Sequence, residues 1–444
     1  MNDQYAQLYR SYRWSVPSQF NIAQACAHRW AENPLEGRRV AIYHEDEAGL
    51  PAVWTYSRLS QTANQLANGL TRMGVLTGDR VAVIMDQRPE AVVACIAIVS
   101  MGAIAVPLSY ELSAPDLAAR LRDAGARVAI IDAAGGLSWL TVAARCPAVT
   151  QIVALNFPHE TTITWKGLLA RQPDTFKPAL TPSNLAALLL YPTSGGATPK
   201  GVLLAHATLI GYLPGFVASQ DWFPQSSDIL WGGTDWTSGT GMLGALLPTL
   251  FFGRAIVASV GSMPGSRLFE LLARYAVTNI FVSSIEIGKL IGQVFAPRQY
   301  YRLPLRALAT TGPTMDANTT TWCEEQLGVT PNAVFGQPEV GYVIGNSYKK
   351  WPIRQGSLGR LYPGHRGAVL NANGAPVDAD IEGDIAVNRR DIHGYPDPAL
   401  FLGYWHDDAA TVAKYAGPTG EWYLTGERGR VDRDGYFWRT SPLE

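Results

Sequence analysis

Between residues 55 and 132 the apolar positions change period several times along the chain. Residues 56–73 carry apolar side chains on one helical face, and Thr55 or Ser57 can cap that helix. Short apolar runs predict strands at 80–85, 103–107 and 127–132, with helices at 89–101 and 114–123 between them. This alternation predicts right-handed crossovers and a parallel sheet that is covered by helices on both faces.

A similar alternation returns over residues 185–345, where 185–191 reads as a buried strand and 203–213 has helical spacing of apolar residues. The pattern changes near Trp351. From 359 to 438 the apolar segments are short and strand-like, with hairpin signals at Asn373-Gly374 and Asp434-Gly435. This last region therefore predicts a small, mostly antiparallel barrel or distorted sheet.

Together these patterns predict an α/β fold with two layered, mainly parallel βα subdomains and a small β-barrel-like subdomain. We divide the chain into an N-terminal extension packed on the core (1–54), a first βα subdomain (55–184), a second βα subdomain (185–350), a β-rich subdomain (351–438) and a short C-terminal segment (439–444).

Composition narrows the function classes. In 444 residues, 47% are apolar and 16% charged, which favours a large buried core over disorder. The formal net charge of −1 argues against nucleic acid or an anionic membrane as the main partner. No apolar run has the length of a membrane span, and the first 30 residues lack the plan of a signal peptide. A cytoplasmic protein is expected.

Cysteine and histidine give no metal pattern. The four cysteines are scattered and are interpreted as ordinary buried thiols, and the seven histidines lack the spacing of a zinc site. His206 is expected on the helix predicted after residue 203, as a packing or capping residue rather than a base.

The strongest chemical signal follows the strand predicted at 185–191. This segment is small, hydroxyl-bearing and glycine-rich, so its backbone N–H groups can point at a phosphate. It does not fit the Walker A pattern. We predict a phosphate loop at Thr193, Ser194, Gly195, Gly196, Ala197, Thr198 and Lys200.

This loop resembles the T-S-G-[TS]-[TS]-G-x-P-K-G motif of the adenylate-forming superfamily, which includes acyl-CoA synthetases, although it is one residue shorter. Four further segments match the family in order, from about residue 55 to 438. The resemblance implies a carboxylic acid substrate, ATP or AMP, an acyl-adenylate intermediate and coenzyme A as co-substrate.

The resemblance also implies two groups of contact residues. Without the resemblance, Gly312-Pro313 would be interpreted as an ordinary turn, and the glycine-rich segment around Ser238 as a loop without substrate contact. The adenine or AMP site is predicted at Gly312, Pro313, Thr314, Phe335, Gly336 and Gln337, and the acyl pocket at Asp235, Trp236, Ser238, Gly239, Gly336 and Gly341. Small residues at 238, 239 and 336 are expected to leave room for an acyl group larger than acetate.

Two carboxylates complete the implied site. Glu339 stands where the family holds Mg²⁺ if ATP is used, and Glu427 stands where the family has an aspartate that accepts both ribose hydroxyls. A surface position for Glu339 and a ligand-free hairpin for Glu427 are the alternatives. Position 442, where the family's hinge arginine is expected, is proline, so residues 439–444 are interpreted as a truncated hinge or an added tail, and residues 185–350 as the subdomain that holds the phosphate loop and the acyl pocket. The family's C-terminal domain, with its adenylation lysine, is expected to be missing, so the catalytic residues stay unknown.

The positions at which this sequence differs from the family motifs are those expected to contact the β- and γ-phosphates of ATP. The loop is short, Gly196 and Ala197 replace hydroxyl residues, and Pro338 replaces a threonine. We therefore expect an acyl-CoA ligase with weak or lost adenylation that thioesterifies a pre-formed acyl-AMP, supplied by a separate adenylating enzyme. The alternatives are a complete ATP-dependent acyl-CoA synthetase and a non-catalytic module that binds acyl-adenylate or AMP. The acid itself is not predicted.

Overall fold

The computed structural model describes residues 3–45, 49–192, 199–259 and 263–440. Its first large sheet has eight strands, of which six run parallel in agreement with the predicted crossovers. In spatial order they are Gly403–Tyr404, Val202–Ala205, Ala186–Leu190, Ile104–Pro107, Arg80–Ile84, Val128–Ile131, Gln151–Ala154 and Thr162–Thr164. The first two are antiparallel to their neighbours.

The second large sheet has nine strands and also has a parallel centre. In spatial order they are Arg360–Leu361, Gly341–Gly345, Pro331–Gln337, Ala307–Thr311, Asn279–Ser283, Ile229–Gly232, Ala255–Ala258, Val40–Glu45 and Pro51–Thr55. The last two strands come from the segment that the sequence assigns to an N-terminal extension, and they extend this sheet at one edge.

A smaller antiparallel sheet forms the β-rich region that the sequence predicts after Trp351. Its strands are Gly367–Leu370, Gly383–Asn388, Trp422–Val431, Tyr415–Ala416 and Phe437–Arg439, the last two both pairing with Trp422–Val431. Gly374 and Gly435 each have positive φ, in turns whose amides bond back to Asn371 and Asp432. The hairpin signals at these two glycines thus lie in turns.

Helices join the strands and cover the sheets. The α-helices are Tyr5–Ser11, Arg29–Ala31, Tyr56–Arg72, Pro89–Ser100, Ala114–Ala124, Ala133–Val142, Trp165–Leu169, Thr208–Ser219, Gly239–Gly241, Leu247–Phe251, Gly265–Arg274, Ser284–Gln293, Ala317–Trp322 and Asp408–Ala413. Short π segments are Gln24–His28, Met242–Leu246 and Cys323–Leu327, and 3₁₀ turns are Glu36–Arg38, Ala143–Arg145 and Pro297–Gln299. Among the described residues, no helix combines the length and apolarity needed to cross a membrane.

The helices at 56–72 and 89–100 confirm the sequence predictions closely. The Thr55 hydroxyl accepts from the Arg58 N–H and caps the first. The second is almost entirely buried, in an apolar cluster that also contains Val83 of the eight-stranded sheet and Ile256 of the nine-stranded sheet. The main core therefore joins both large sheets.

The helix predicted at residues 203–213 is wrong over its first part. Val202–Ala205 is a strand that pairs antiparallel with Ala186–Leu190, and the helix begins only at Thr208. A strand whose two faces are both covered has apolar residues at every position, as residues 202–205 do. Such a run cannot be distinguished from a buried helical segment by its sequence pattern.

Candidate functional site

A cavity of about 220 Å³ lies where the nine-stranded sheet meets the small sheet. We call it the Phe335 cavity, after the aromatic residue in its wall. The seven residues that the sequence predicts for adenine, AMP and ribose all line it: Gly312, Pro313, Thr314, Phe335, Gly336, Gln337 and Glu427. Residues from three separate parts of the chain thus converge, as a ligand pocket requires.

One wall is the turn after strand Ala307–Thr311. Gly312 has φ +103°, a conformation that favours glycine, and an added Cβ would lie 3.2 Å from the Ser284 hydroxyl oxygen. That hydroxyl donates to the Pro313 carbonyl at 2.8 Å. The turn is therefore held by the first residue of helix Ser284–Gln293, which precedes the strand.

The neighbouring strand Pro331–Gln337 supplies another part of the wall. Phe335 is buried, and a register shift lies between it and Gly336. A Cβ on Gly336 would lie 2.1 Å from the Gly341 carbonyl oxygen. The room beside Gly336 is thus filled by backbone, so the glycine is explained by close packing rather than by space for an acyl group.

Gln337 lines the cavity and connects the nine-stranded sheet with the small sheet. Its Nε2 donates to the Thr425 carbonyl at 2.8 Å, and its Oε1 accepts from the Tyr423 hydroxyl at 3.3 Å. The Thr425 hydroxyl then accepts from the Glu427 N–H at 3.2 Å. These bonds position the backbone that carries Glu427.

Glu427 contacts a residue that the sequence analysis missed. Arg439 also lines the cavity, and its Nε lies 2.9 Å from Oε2 of Glu427. Their side chains are only 12% and 20% exposed, respectively. Arg439 ends a strand in which it pairs with Gly429, so it is the diagonal neighbour of Glu427 across the hairpin. The Asp434-Gly435 hairpin signal could have revealed this neighbour.

Glu339 lies outside this set. It occupies the turn between strands Pro331–Gln337 and Gly341–Gly345, is 9% exposed, and accepts a hydrogen bond of 2.9 Å from the Tyr404 hydroxyl. Burial, followed by the nearby Glu339 charge, raises the pKa of Tyr404, which therefore stays a donor. Lys200 Nζ lies 5.5 Å from the centre of the Tyr404 ring. We call these three residues the Glu339 cluster.

The rest of the predicted phosphate loop, residues 193–198, lies outside the described residues. Within the described ranges, no group of three or more His, Cys, Asp or Glu side chains could hold a metal ion. A carboxylate oxygen with substrate phosphates is nevertheless a suitable set for Mg²⁺. Glu339 fits that chemistry as a single protein ligand.

Of the residues predicted for the acyl pocket, Gly336 lines the Phe335 cavity, and two others line separate spaces. Asp235 and Trp236 line a space of about 20 Å³, and Asp235 also lines one of about 260 Å³. The Ser238 hydroxyl accepts from the Gly241 N–H at 3.0 Å, and a Cβ on Gly239 would lie 2.9 Å from the Pro338 ring. Ser238 and Gly239 thus have local structural roles, and their acyl contacts stay predictions.

His206 lies in the turn before helix Thr208–Ser219 and is fully buried. Its Nδ1 accepts from the Ile22 N–H at 3.2 Å, and burial lowers its pKa to about 4. It is therefore a neutral packing residue, as predicted, although it is not on the helix.

Comparison with known proteins identifies the family of this chain. A family model described as AMP-binding enzyme matches residues 28–405. The chain belongs to this family. The resemblance stated from the five sequence segments is thereby confirmed, and so is the α/β fold class, since solved acyl-CoA synthetases share it.

Relatives are ligases that form acyl-CoA. An uncharacterized acyl-CoA ligase, YtcI, of Bacillus subtilis is 27% identical over 95% of this chain and 76% of its own length. An acetyl-coenzyme A synthetase of Nitrosomonas europaea is 28% identical over 96% of this chain and 68% of its own. The chain is thus an AMP-forming acyl-CoA synthetase family member, and enzymes of this family use ATP, AMP and CoA with an acyl-adenylate intermediate.

Solved structures show the same fold. A Brucella canis acyl-CoA synthetase superposes with a TM-score of 0.88 at 20% identity, over all of this chain and 80% of that one. The anthranilate CoA ligase AuaEII, solved with anthranoyl-AMP, gives a TM-score of 0.85 at 24% identity, over 96% of this chain and 78% of that one.

Proposed function

We propose that this protein is an acyl-CoA ligase that holds an acyl-adenylate in the Phe335 cavity and adenylates its acid weakly or not at all. The observation that carries the proposal is the convergence of the seven predicted nucleoside residues on one cavity with a carboxylate in its wall. In this proposal Phe335 stacks on adenine, the turn at Gly312 abuts it, and Glu427 accepts the ribose hydroxyls.

The residues expected around the β- and γ-phosphates of ATP support the proposal of weak adenylation. ATP brings about four negative charges that need Mg²⁺ and several oriented donors. Pro338 offers neither a hydroxyl nor an N–H beside Glu339, and Glu339 is already bonded to Tyr404. Two lost charge-assisted hydrogen bonds cost about 3–6 kcal/mol, or about two to four decades in affinity or rate. Acyl-AMP, with one phosphate charge, needs fewer of these donors.

The proposed reaction is thioester formation. The CoA sulfur attacks the carbonyl carbon of acyl-AMP, the bond from that carbon to the phosphate oxygen breaks, and AMP leaves as the thiol proton is released. The proposed co-substrates are therefore acyl-AMP and CoA, with Mg²⁺ held by Glu339 only if ATP is used. We further propose a cytoplasmic protein that receives acyl-AMP from a separate adenylating enzyme.

Calorimetry on this chain tests the proposal. A stable acyl-AMP analogue should bind about 100-fold more tightly than ATP with Mg²⁺, since only the triphosphate needs the missing donors. Equal affinities would contradict weak adenylation. Pyrophosphate exchange with acid, ATP and Mg²⁺ at an ordinary synthetase rate would establish instead a complete ATP-dependent ligase, which the relatives' names favour.

Thioester formation separates the enzyme from a binding module. Acyl-AMP and CoA are supplied with and without protein, and acyl-CoA is measured. Protein-dependent thioester supports the ligase. Tight binding without any thioester supports a module that holds acyl-adenylate or AMP without turnover.

A further inference from the structure

Arg439 lines the cavity close to both Glu427 and Phe335, the residues proposed to hold the ribose and the adenine. Its Nε lies 2.9 Å from Oε2 of Glu427, and its Cζ lies 5.8 Å from the centre of the Phe335 ring. That second distance is within the range of a cation–π contact. One guanidinium thus connects the aromatic wall with the carboxylate.

The fold explains why Arg439 reaches this place. Strand Phe437–Arg439 lies beside Trp422–Val431, with Arg439 opposite Gly429 and Glu427 two positions before it on the same strand. A Cβ on Gly429 would lie 2.2 Å from the Trp438 carbonyl oxygen, so the glycine allows this close pairing. Diagonal neighbours of this kind are within reach of long side chains.

Glu427 needs such a partner. A glutamate has more freely rotating bonds than an aspartate, and a half-buried carboxylate facing an adenylate phosphate also carries a repulsive charge. An arginine bound at one oxygen reduces both costs and leaves the other oxygen able to accept hydroxyl donors.

We infer that Arg439 is a positioning residue that fixes the Glu427 carboxylate for the ribose hydroxyls of the bound adenylate. The inference rests on the proposed function, because it assumes that a nucleoside monophosphate occupies the Phe335 cavity. It predicts an energetic coupling between a protein side chain and two hydroxyl groups that the side chain need not touch.

The experiment measures AMP and 2′,3′-dideoxy-AMP binding by calorimetry to the wild-type chain and to R439M, R439K and R430M. Arg430 is the matched control, since it is on the same sheet, pairs with Asp380 at 2.7 Å and does not line the cavity. R439M should weaken AMP binding about tenfold, R439K should recover part of the loss, and R430M should have no effect. Binding of the dideoxy ligand should weaken clearly less in R439M, because only the repulsion between the Glu427 carboxylate and the phosphate acts on it.

Other outcomes distinguish a failure of the inference about Arg439 from a failure of the proposed function. Equal weakening of both ligands by R439M would show a merely structural role and overturn the inference, as would an unchanged or tighter affinity for AMP. Circular dichroism and melting temperature check that the variant folds, and if R439M does not fold, the same comparison is made with R439K. A wild-type chain that binds neither nucleotide would refute the proposed function itself, whatever the variants do.

Discussion

Strand Pro331–Gln337 lines the Phe335 cavity, and the turn that follows this strand carries Glu339 of the Glu339 cluster. Each contains a glutamate that the sequence assigns to nucleotide binding. Glu427 faces open space, and an arginine contacts one of its oxygens. Glu339 is buried, with a tyrosine hydroxyl on one of its oxygens.

The two glutamates differ in how easily their carboxylates can accept a ligand. A carboxylate held by a cation at the wall of a cavity can accept further donors without losing its partner. A buried carboxylate that is bonded to a tyrosine must rearrange or share that bond before it can bind a metal ion. We therefore expect the glutamate at the Phe335 cavity to accept a ligand without losing its protein partner, and the glutamate of the Glu339 cluster to do so only after rearrangement.

The largest effect is expected from Gly336→Ala, which tests whether the cavity wall depends on close backbone contact. The new Cβ would lie 2.1 Å from the Gly341 carbonyl oxygen, which cannot move without distorting the strand pair. Overpacking of this kind costs about 2–3 kcal/mol. We expect a lower melting temperature and weaker AMP binding, measured by circular dichroism and calorimetry.

Gly288→Ala is the matched control for this variant. Gly288 lies in helix Ser284–Gln293, and a Cβ there meets nothing within 4 Å. Alanine should raise the stability there slightly, by about 0.5–1 kcal/mol. If both variants had the same melting temperature, the packing account of Gly336 would be wrong.

Glu427→Gln tests the carboxylate at the cavity. Its loss removes charge-assisted acceptance of the ribose hydroxyls and leaves Arg439 without its ion pair, so AMP affinity should fall by about 2 kcal/mol, or about 30-fold. Calorimetry measures the change, and Glu270→Gln, an exposed glutamate paired with Arg267, is the control. Unchanged AMP binding in E427Q would show that Glu427 has no role in ligand binding.

Pro338→Thr tests the other region by returning a hydroxyl and an N–H beside Glu339. One added charge-assisted bond is worth about 1.5 kcal/mol, so ATP with Mg²⁺ should bind about tenfold more tightly while AMP affinity stays constant. Pro338→Ala, which restores only the N–H, should give a smaller gain. A parallel gain for AMP would contradict the division of the site into two regions.

Tyr404→Phe should have the smallest effect. It removes the 2.9 Å hydrogen bond to Glu339, which costs about 1 kcal/mol of stability, and leaves AMP binding unchanged because Tyr404 does not line the Phe335 cavity. Urea denaturation and calorimetry measure the two quantities, with the exposed Tyr395→Phe as control. Weaker AMP binding in Y404F would show that the Glu339 cluster contributes to nucleoside binding, contrary to our proposal.

Some of this arrangement was predictable from local sequence patterns. The strands at 80–84 and 128–131 and the helix at 56–72 follow directly from apolar period and capping residues. The segment 202–205 was not predictable in the same way, because its partner at 186–190 decides that it is a strand. The glycine at 336 does not by itself indicate room for an acyl group, since a close backbone contact explains it equally well, and the acyl pocket stays a prediction.

The order of the motifs along the chain was sufficient to determine the family and the residues expected around a nucleoside, because each motif is a short local pattern. Tertiary structure alone decided which of these residues share a cavity, that Arg439 contacts Glu427, and that Tyr404 contacts Glu339. The reason is physical: these contacts join strands and turns far apart in sequence, and only the pairing of sheets fixes their distances.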